Sequence, residues 1–533
     1  MDQKFYQISA AILRLSVVDR FTLDVISQGL DAAAIEMFEV LRKTAMSPII
    51  YEVLDVGTGV LDCDGQLVSS GAGIPSFIGV LDKSVQAIIA KLGDEIADGD
   101  VYLTNDPNFG GVTHLNDVVI AQPIFWHYRR VAWVASIAHW GDIGGRTPGS
   151  MSTKTSEIIA EGLRLPIVRL FDAGERNEAV VDIITTNSRL PDYVRGDLWA
   201  QVSAGRRAAK TIGQLCERYG VNALNSSILE ARKVAAQRSK AGLSALPAGH
   251  YACIEAQDDG SFWKALIEIR HDKMTIDLRD APSEVSGPYN LSRDGAIVAC
   301  QVFFKALVDN NRFANAGSFS ALEVLTTPGT LFDAGPLVAH AYYFETRIKL
   351  IDMLWHGLAE VMPNLLPAGH FASIFGTVIA GLHPDTGRSY SMVEPQMGGW
   401  GATLERAGQN AMFSTNHGDT FNCPVEIAEA RYGFDVLEKT LSFGPKVVGE
   451  FSGGAGVRIS YRLRTPAVLS VGYSHANVPI WSMNAASLGG KNYLRVKHSD
   501  GSFDAYHFAS EVALDQGDIV EIETAYGGSM RTL

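Results

Sequence analysis

Apolar residues recur at three- and four-residue spacing through Leu23, Ile26, Leu30, Ala33, Met37 and Leu41, which predicts an amphipathic helix over 22–45 that ends ahead of Pro48. Similar patterning predicts helices over 80–92, 203–219, 226–241, 294–308 and 346–360. Between the first two helices the pattern becomes that of a strand pair, 53–61 and 66–69, turned by Asp62-Cys63-Asp64-Gly65. Past a linker at 244–249, strands are expected over 265–270 and 274–278, then over 456–462, 467–473, 493–498 and 519–523. The order predicts a mixed α/β, multi-domain protein. Its expected divisions are a helix-and-hairpin domain over 1–243, a mixed α/β domain over 250–440 and a β-rich region over 441–533.

The segment 101–145 concentrates the candidate chemistry. Two apolar, β-branched and aromatic runs, 118–126 and 131–138, flank the polar tetrapeptide His127-Tyr128-Arg129-Arg130, the pattern of an antiparallel hairpin. With the turn centred between Tyr128 and Arg129, facing residue numbers sum to about 257, which sets His139 opposite Val118 and Asp117 opposite Trp140. His114 and Asp117 at the start of one strand then meet His139 at the end of the other. Two imidazoles and a carboxylate are a ligand set of open divalent-metal sites. Taken singly, such residues are ordinary surface hydrogen-bonders; Asn105-Asp106-Pro107, Gly110-Gly111, Gly141, Gly144, Gly145 and Pro148-Gly149 add irregular backbone at the same hairpin end, as site-building loops do. Asp55, an acid within an otherwise apolar run, reads either as a surface or turn acid or as a further oxygen ligand. Asp142 reads as a proton acceptor or ligand-orienting group, or as the cap of the glycine-rich turn. Glu157 and Glu161 are further base candidates. Gly144, Gly145 and Gly149 either let backbone amides approach an anionic intermediate or simply form turns.

Bulk properties narrow the function classes. At 533 residues the chain exceeds one simple core. A net charge of -14 without a basic stripe argues against nucleic-acid binding. No apolar run approaches the length of a membrane span, and the first 21 residues carry no small-residue cleavage signature, so a cytoplasmic protein without a signal peptide is expected. Five scattered cysteines, with no Cys-x-x-Cys, indicate neither a disulfide framework nor a thiolate zinc site. Gly489-Gly490-Lys491-Asn492 lacks the spacing and hydroxyl of a phosphate-binding loop, and the glycines at 453–456 precede a strand. ATP is therefore not expected to bind this chain through a standard loop. The polar stretch 416–426, which includes His417 and Glu426, reads as a substrate loop or as a hydrogen-bonded connection.

The chain resembles the hydantoinase B/oxoprolinase family over nearly its whole length. The resemblance is carried by LRKTAMSP (41–48), LDCDGQLV (61–68), YLTNDPNFGGVTHLND (102–117), AHWGDIGGRTPGSM (138–151), EGLRLP (161–166), GPYN (287–290), FNCPVEIAEARY (421–432) and GGAGVR (453–458). THLND combined with HWGDIGG is its most specific part. The resemblance implies a divalent metal, zinc or manganese, held by His114, Asp117 and His139, with Asp55 in the place of an upstream Asp ligand. It also implies a hydantoinase A-type partner with an actin-like ATPase fold, which binds the ATP, in a hetero-oligomer with two copies of each subunit. The implied activity is ATP-dependent opening of a cyclic amide (hydantoin, lactam or oxoproline type) on a small-molecule substrate; the related branch is an acetone- or acetophenone-type carboxylase. A non-catalytic scaffold for the ATPase is the third alternative. Two departures stand out: Ile49-Ile50-Tyr51-Glu52-Val53-Leu54 replaces a charged stretch of many hydantoinases and leans toward the carboxylase branch, and the C-terminal glycine cluster is reduced to Gly527-Gly528.

Overall fold

The computed structural model describes residues 18–311, 313–418 and 420–531; the N-terminal stretch read above for a leader, up to residue 17, and Asp419 of the polar stretch lie outside them. The helix Arg20–Thr44 starts at Asp19, whose carboxylate accepts from Thr22 N, and buries Ile26, Leu30, Ala33, Met37 and Leu41. The expected periodic face is thus the packed one.

The N-terminal half is built on a seven-stranded sheet in the order β2-β1-β5-β4-β3-β6-β7. These strands are β1 (Val56–Asp62), β2 (Leu67–Gly73), β3 (Val101–Thr104), β4 (Asp117–Trp126), β5 (Arg129–His139), β6 (Val168–Asp172) and β7 (Glu175–Arg176). β1 is buried at every position because helices cover both faces of the sheet centre. Arg20–Thr44 and Pro191–Tyr219 lie on one side and Pro75–Leu92 on the other. Glycine makes this close approach possible. A Cβ on Gly59 would lie 2.9 Å from Leu81, and one on Gly71 would lie 2.5 Å from the Ala34 carbonyl.

β4 and β5 form the expected hairpin with a corrected register. Asp117 pairs with His139 and Val118 with Ala138, so the two candidate ligands face each other directly. The turn is the two-residue His127-Tyr128, both at positive φ (48° and 63°), as a twisted hairpin prefers. A bulge between Ile124 and Phe125 shifts the pairing once more. Neither feature leaves a periodic trace in the sequence.

The remainder is richer in sheet. β8 (Gly249–Ala256), β9 (Phe262–Ile269), β10 (Met274–Asp277) and β11 (Leu322–Leu325) form one sheet. β12 (Gly376–Leu382), β13 (Ser389–Glu394), β17 (Ala467–Gly472) and β20 (Ala509–Leu514) form a second in the order β13-β12-β17-β20. β14 (Phe434–Ser442), β16 (Gly456–Leu463), β18 (Tyr493–Lys497), β19 (Phe503–Tyr506) and β21 (Ile519–Glu523) form a third, while the short pair β15 (Glu450–Phe451) and β22 (Met530–Arg531) stands apart. The mixed α/β architecture, helical first and sheet-rich later, is the expected one. The helix Tyr343–Ala359 is buried at every position through Leu354, charged residues included, and it carries Tyr343 and Arg347 to the site. Among the described residues no helix is long and apolar enough to cross a membrane, and all five cysteines are free.

Candidate metal centre

Three neighbouring strand ends bring the acids and imidazoles together. His139 ends β5 and Asp117 begins β4 opposite it. Val56 of β1 pairs with Ala138, and His139 N donates to the Asp55 carbonyl at 3.1 Å. His114 joins through a tight turn in which Asp117 N donates to the His114 carbonyl at 3.1 Å. Asp55, His114, Asp117 and His139 line one buried cavity.

The ligand atoms converge. His114 Nε2 lies 3.3 Å from His139 Nδ1, and each lies 3.1 Å from Asp117 Oδ1. Ligand atoms around a first-row divalent cation with bonds of about 2.0–2.2 Å stand roughly 2.9–3.5 Å apart, so the donor set fits such an ion. The surrounding hydrogen bonds fit it too. His114 Nδ1 meets the Ala341 carbonyl at 3.0 Å, which places its proton there and leaves the Nε2 lone pair for the cluster. Asp117 Oδ2 accepts from Thr113 Oγ1 and, at 3.2 Å, from the Tyr343 hydroxyl, leaving Oδ1 facing the imidazoles. Lone pairs aimed at one another need a positive charge between them. Asp55 Oδ1 and His139 Nε2 are buried without partners, which adds donors to the same space.

The electrostatics follow from burial and from two opposed signs. Burial pushes the Asp55 carboxyl up to about 7, with His139 pulling the other way. Burial would also raise Asp117, but the charges and hydrogen bonds of His114 and His139 outweigh it and hold that carboxyl below the usual range. His417 lines the cavity with both ring nitrogens unpartnered. Burial first, and the nearby Arg347 second, depress it to about 3, so it is a neutral imidazole. Arg347, 1% exposed, reaches the cavity beside Tyr343 and meets its hydroxyl at 3.0 Å. Space for water-sized occupants is about 30 Å³, room for an ion with one or two waters.

The other candidates lie outside this cavity. Asp142 accepts from Gly144 N, Gly149 N and Arg189 N and pairs with Arg189 Nη1 at 3.0 Å; it staples the glycine-rich turn. Gly144 and Gly145 sit at φ +88° and +81°, and a Cβ on either would strike the backbone of Asn187 or Glu161 at about 2.6 Å or less. Their need is steric. Glu426 is exposed in the first turn of the short helix Val425–Arg431, while His417 of the same polar stretch is in the cavity.

Glu161 acts one step removed. Its carboxylate accepts from His340 N and from Ala341 N at 2.7 Å, and Ala341 in turn holds His114. Burial raises its carboxyl to about 8 despite those donors. Glu161→Ala is expected to leave two buried amides unpaired, costing about 1–3 kcal/mol for each, and to weaken divalent-metal affinity about 10–100-fold. Denaturant titration and metal competition read the two effects; unchanged affinity would remove Glu161 from the site's support.

Tyr343 and Arg347 escaped the sequence reading because they stand more than two hundred residues beyond the hairpin. Their one available signal was charge inside an apolar helix, Glu345, Arg347, Lys349 and Asp352 together.

The chain is similar to several known proteins. The caprolactamase subunit beta of Pseudomonas jessenii is 28% identical over 96% of this chain and 91% of its own length. The crystal structure of the ATP-dependent caprolactamase from that organism superposes with a TM-score of 0.89 at 25% identity, covering 97% of this chain and 92% of the other. A nucleotide-free acetone carboxylase superposes at 0.85 with 15% identity, over 98% and 76% of the two chains, which shows a shared fold. The family model for Hydantoinase B/oxoprolinase matches residues 19–530. The chain belongs to the hydantoinase B/oxoprolinase family.

Proposed function

We propose that this chain is the metal-dependent hydrolytic subunit of an ATP-dependent cyclic-amide hydrolase. Its substrate is a ring amide that a hydantoinase A-type partner has activated with ATP. The observation that carries the reading is the single buried cavity in which Asp55, His114, Asp117 and His139 converge beside neutral His417 and cationic Arg347. The likeness to a caprolactamase beta subunit supports the substrate class.

An amide resists water because its carbonyl is a poor electrophile and its nitrogen a poor leaving group. Transfer of the ATP γ-phosphoryl group to the amide oxygen in the partner solves the first problem. Water then adds to the activated carbon, and the ring C–N bond breaks as nitrogen takes a proton. The acyl phosphate left behind consumes a second water to give carboxylate and phosphate. A zinc or manganese ion held by His114, Asp117, His139 and Asp55 would bring the pKa of a bound water to about 7. Tyr343 and Thr113 hold Asp117 in position for this. His417, unprotonated and without a protein side-chain partner, orients the attacking water. Arg347 faces the anionic oxygen that develops on the carbon and the phosphoryl group attached to it.

The test is turnover by the complex with its partner, ATP and a panel of lactam, hydantoin and oxoproline rings, with and without bicarbonate. Ring opening without bicarbonate is the expected result. Product only with a ketone and bicarbonate would overturn it in favour of carboxylation with the same residues. Full activity of a His114→Ala complex would leave a scaffold for the ATPase.

A further inference from the structure

The helix Tyr343–Ala359 serves two cavities. Tyr343, Phe344 and Arg347 reach the metal cavity, while Glu345, Thr346 and Lys349, on the other face by helical spacing, line a pocket of about 570 Å³. That volume is in the range of small-molecule sites. Its walls are apolar for the most part: Trp263, Pro282, Val285, Tyr289, Leu331 and Phe508, with the Tyr289 and Phe508 rings 4.6 Å apart. Glu345 joins the two spaces. Its carboxylate accepts from Ser474 Oγ, in the pocket, at 2.7 Å and from Ile374 N, at the metal cavity, at 2.8 Å.

The hydrogen bonds left open in this pocket decide what fits it. The carboxylate acceptors of Glu345 and Asp258 are taken. Glu345 accepts from Ser373 Oγ and Phe375 N as well, and Asp258 accepts from the amides of Ala476, Asn477 and Val478. The donors of Lys349 are not. Lys349 is 4% exposed, and its ammonium gives one hydrogen bond, to His475 Nε2 at 3.1 Å, while Glu255 Oε1 stands off at 4.0 Å. His475 donates from Nδ1 to the Val478 carbonyl, so its Nε2 is the accepting atom; Ser474 and Val478 on either side of it line the pocket. Two of the three ammonium donors thus lack an acceptor. The Tyr289 hydroxyl also makes no hydrogen bond among the described residues. Thr346 Oγ1, one helical turn before Lys349, donates to the Tyr289 carbonyl and ties that wall to the helix. A buried cation with spare donors, set among apolar walls, is matched by an acceptor-rich anion on an apolar body.

We propose that this pocket binds a small carboxylate with an apolar chain, its head on the Lys349 ammonium and its chain against Trp263, Tyr289 and Phe508. The identity of the ligand rests on the hydrolytic reading, because opening a ring amide releases a carboxylate on the chain that had closed the ring. The pocket is then a product site one helix away from the metal cavity.

The test is calorimetric titration of the full chain with hexanoate, 6-aminohexanoate and hexylamine. Both carboxylates are expected to bind and the amine is not. Lys349→Met is expected to weaken hexanoate about tenfold or more, the effect of losing a hydrogen bond to a charged group. Val285→Trp, at a position 38% exposed on the pocket wall, obstructs the pocket without touching the buried groups around Lys349. It is expected to weaken hexanoate as well, so the proposal stays testable if Lys349→Met fails to fold. His139→Ala is the control for a carboxylate held at the metal cavity, and hexanoate affinity is expected to be unchanged in it. No binding of hexanoate, binding of hexylamine in its place, undiminished affinity in Val285→Trp, or loss in His139→Ala alone would each overturn the proposal. Titration needs neither ATP nor partner nor turnover, so its failure is read separately from failure of the hydrolytic reading.

Discussion

His139→Ala is expected to lose the metal and with it about a thousandfold or more of ring-opening turnover. His139 is the hinge of the cluster: its ring faces His114 and Asp117, and its backbone N–H ties the Asp55 segment to the hairpin. The substitution keeps that backbone bond and β5, so the fold survives and only the ligand is deleted. Elemental analysis of the wild type is expected to give about one equivalent of zinc or manganese, and of the variant a small fraction of that. ATP consumption by the partner is the control that separates lost chemistry from lost assembly. A folded variant that retained its metal and its turnover would sink the metal centre. A wild type that bound no divalent transition metal after reconstitution would do the same and leave the scaffold.

Arg347→Met is expected to split activity from stability. Arg347 is 1% exposed, its guanidinium bonds the Tyr343 hydroxyl and lies over the Tyr343 ring at 4.8 Å, and among the described residues no carboxylate pairs with it. A buried cation without an ion pair contributes little to folding, and an apolar side chain of similar length often does as well or better. In the metal-loaded chain, where the two carboxylates are already compensated, the thermal midpoint is expected to stay or rise. Turnover is expected to fall about a hundredfold, the usual effect of deleting one preorganised group aimed at developing negative charge. The metal content should not change. Turnover within a few-fold of wild type would remove Arg347 from the chemistry. Metal loss would make it a support of the ligand cluster instead.

The hairpin was legible because its information is local. Apolar runs 118–126 and 131–138 are read by alternation, and a strand of fixed pleat delivers its terminal residue to a known end. The register was legible only to within one residue. A positive-φ turn at His127-Tyr128 and a bulge at Ile124 are conformational choices that side-chain polarity does not encode. Asp55 was visible as an acid in an apolar run, but its place depends on β1 pairing with β5, a long-range contact. The first turns of the helix Pro191–Tyr219 went unread for a similar reason. Its early residues Asp197 and Gln201 are polar yet fully buried, because Asp197 accepts from the amides of Met46 and Ser47 and Gln201 Oε1 accepts from Trp140 Nε1.

By itself the sequence determined the periodic helices, the β-rich end, the hairpin and the gathering of His114, Asp117 and His139 at one hairpin end, since each follows from spacing within a few tens of residues. Tertiary structure alone decided which other groups complete the site. Tyr343 and Arg347 come from one buried helix, His417 from an irregular turn, and Asp142 and Glu161 turn out to hold backbone one layer away. Such choices rest on how distant elements satisfy each other's buried polar groups. That is a property of the packed whole, and no window of the chain contains it.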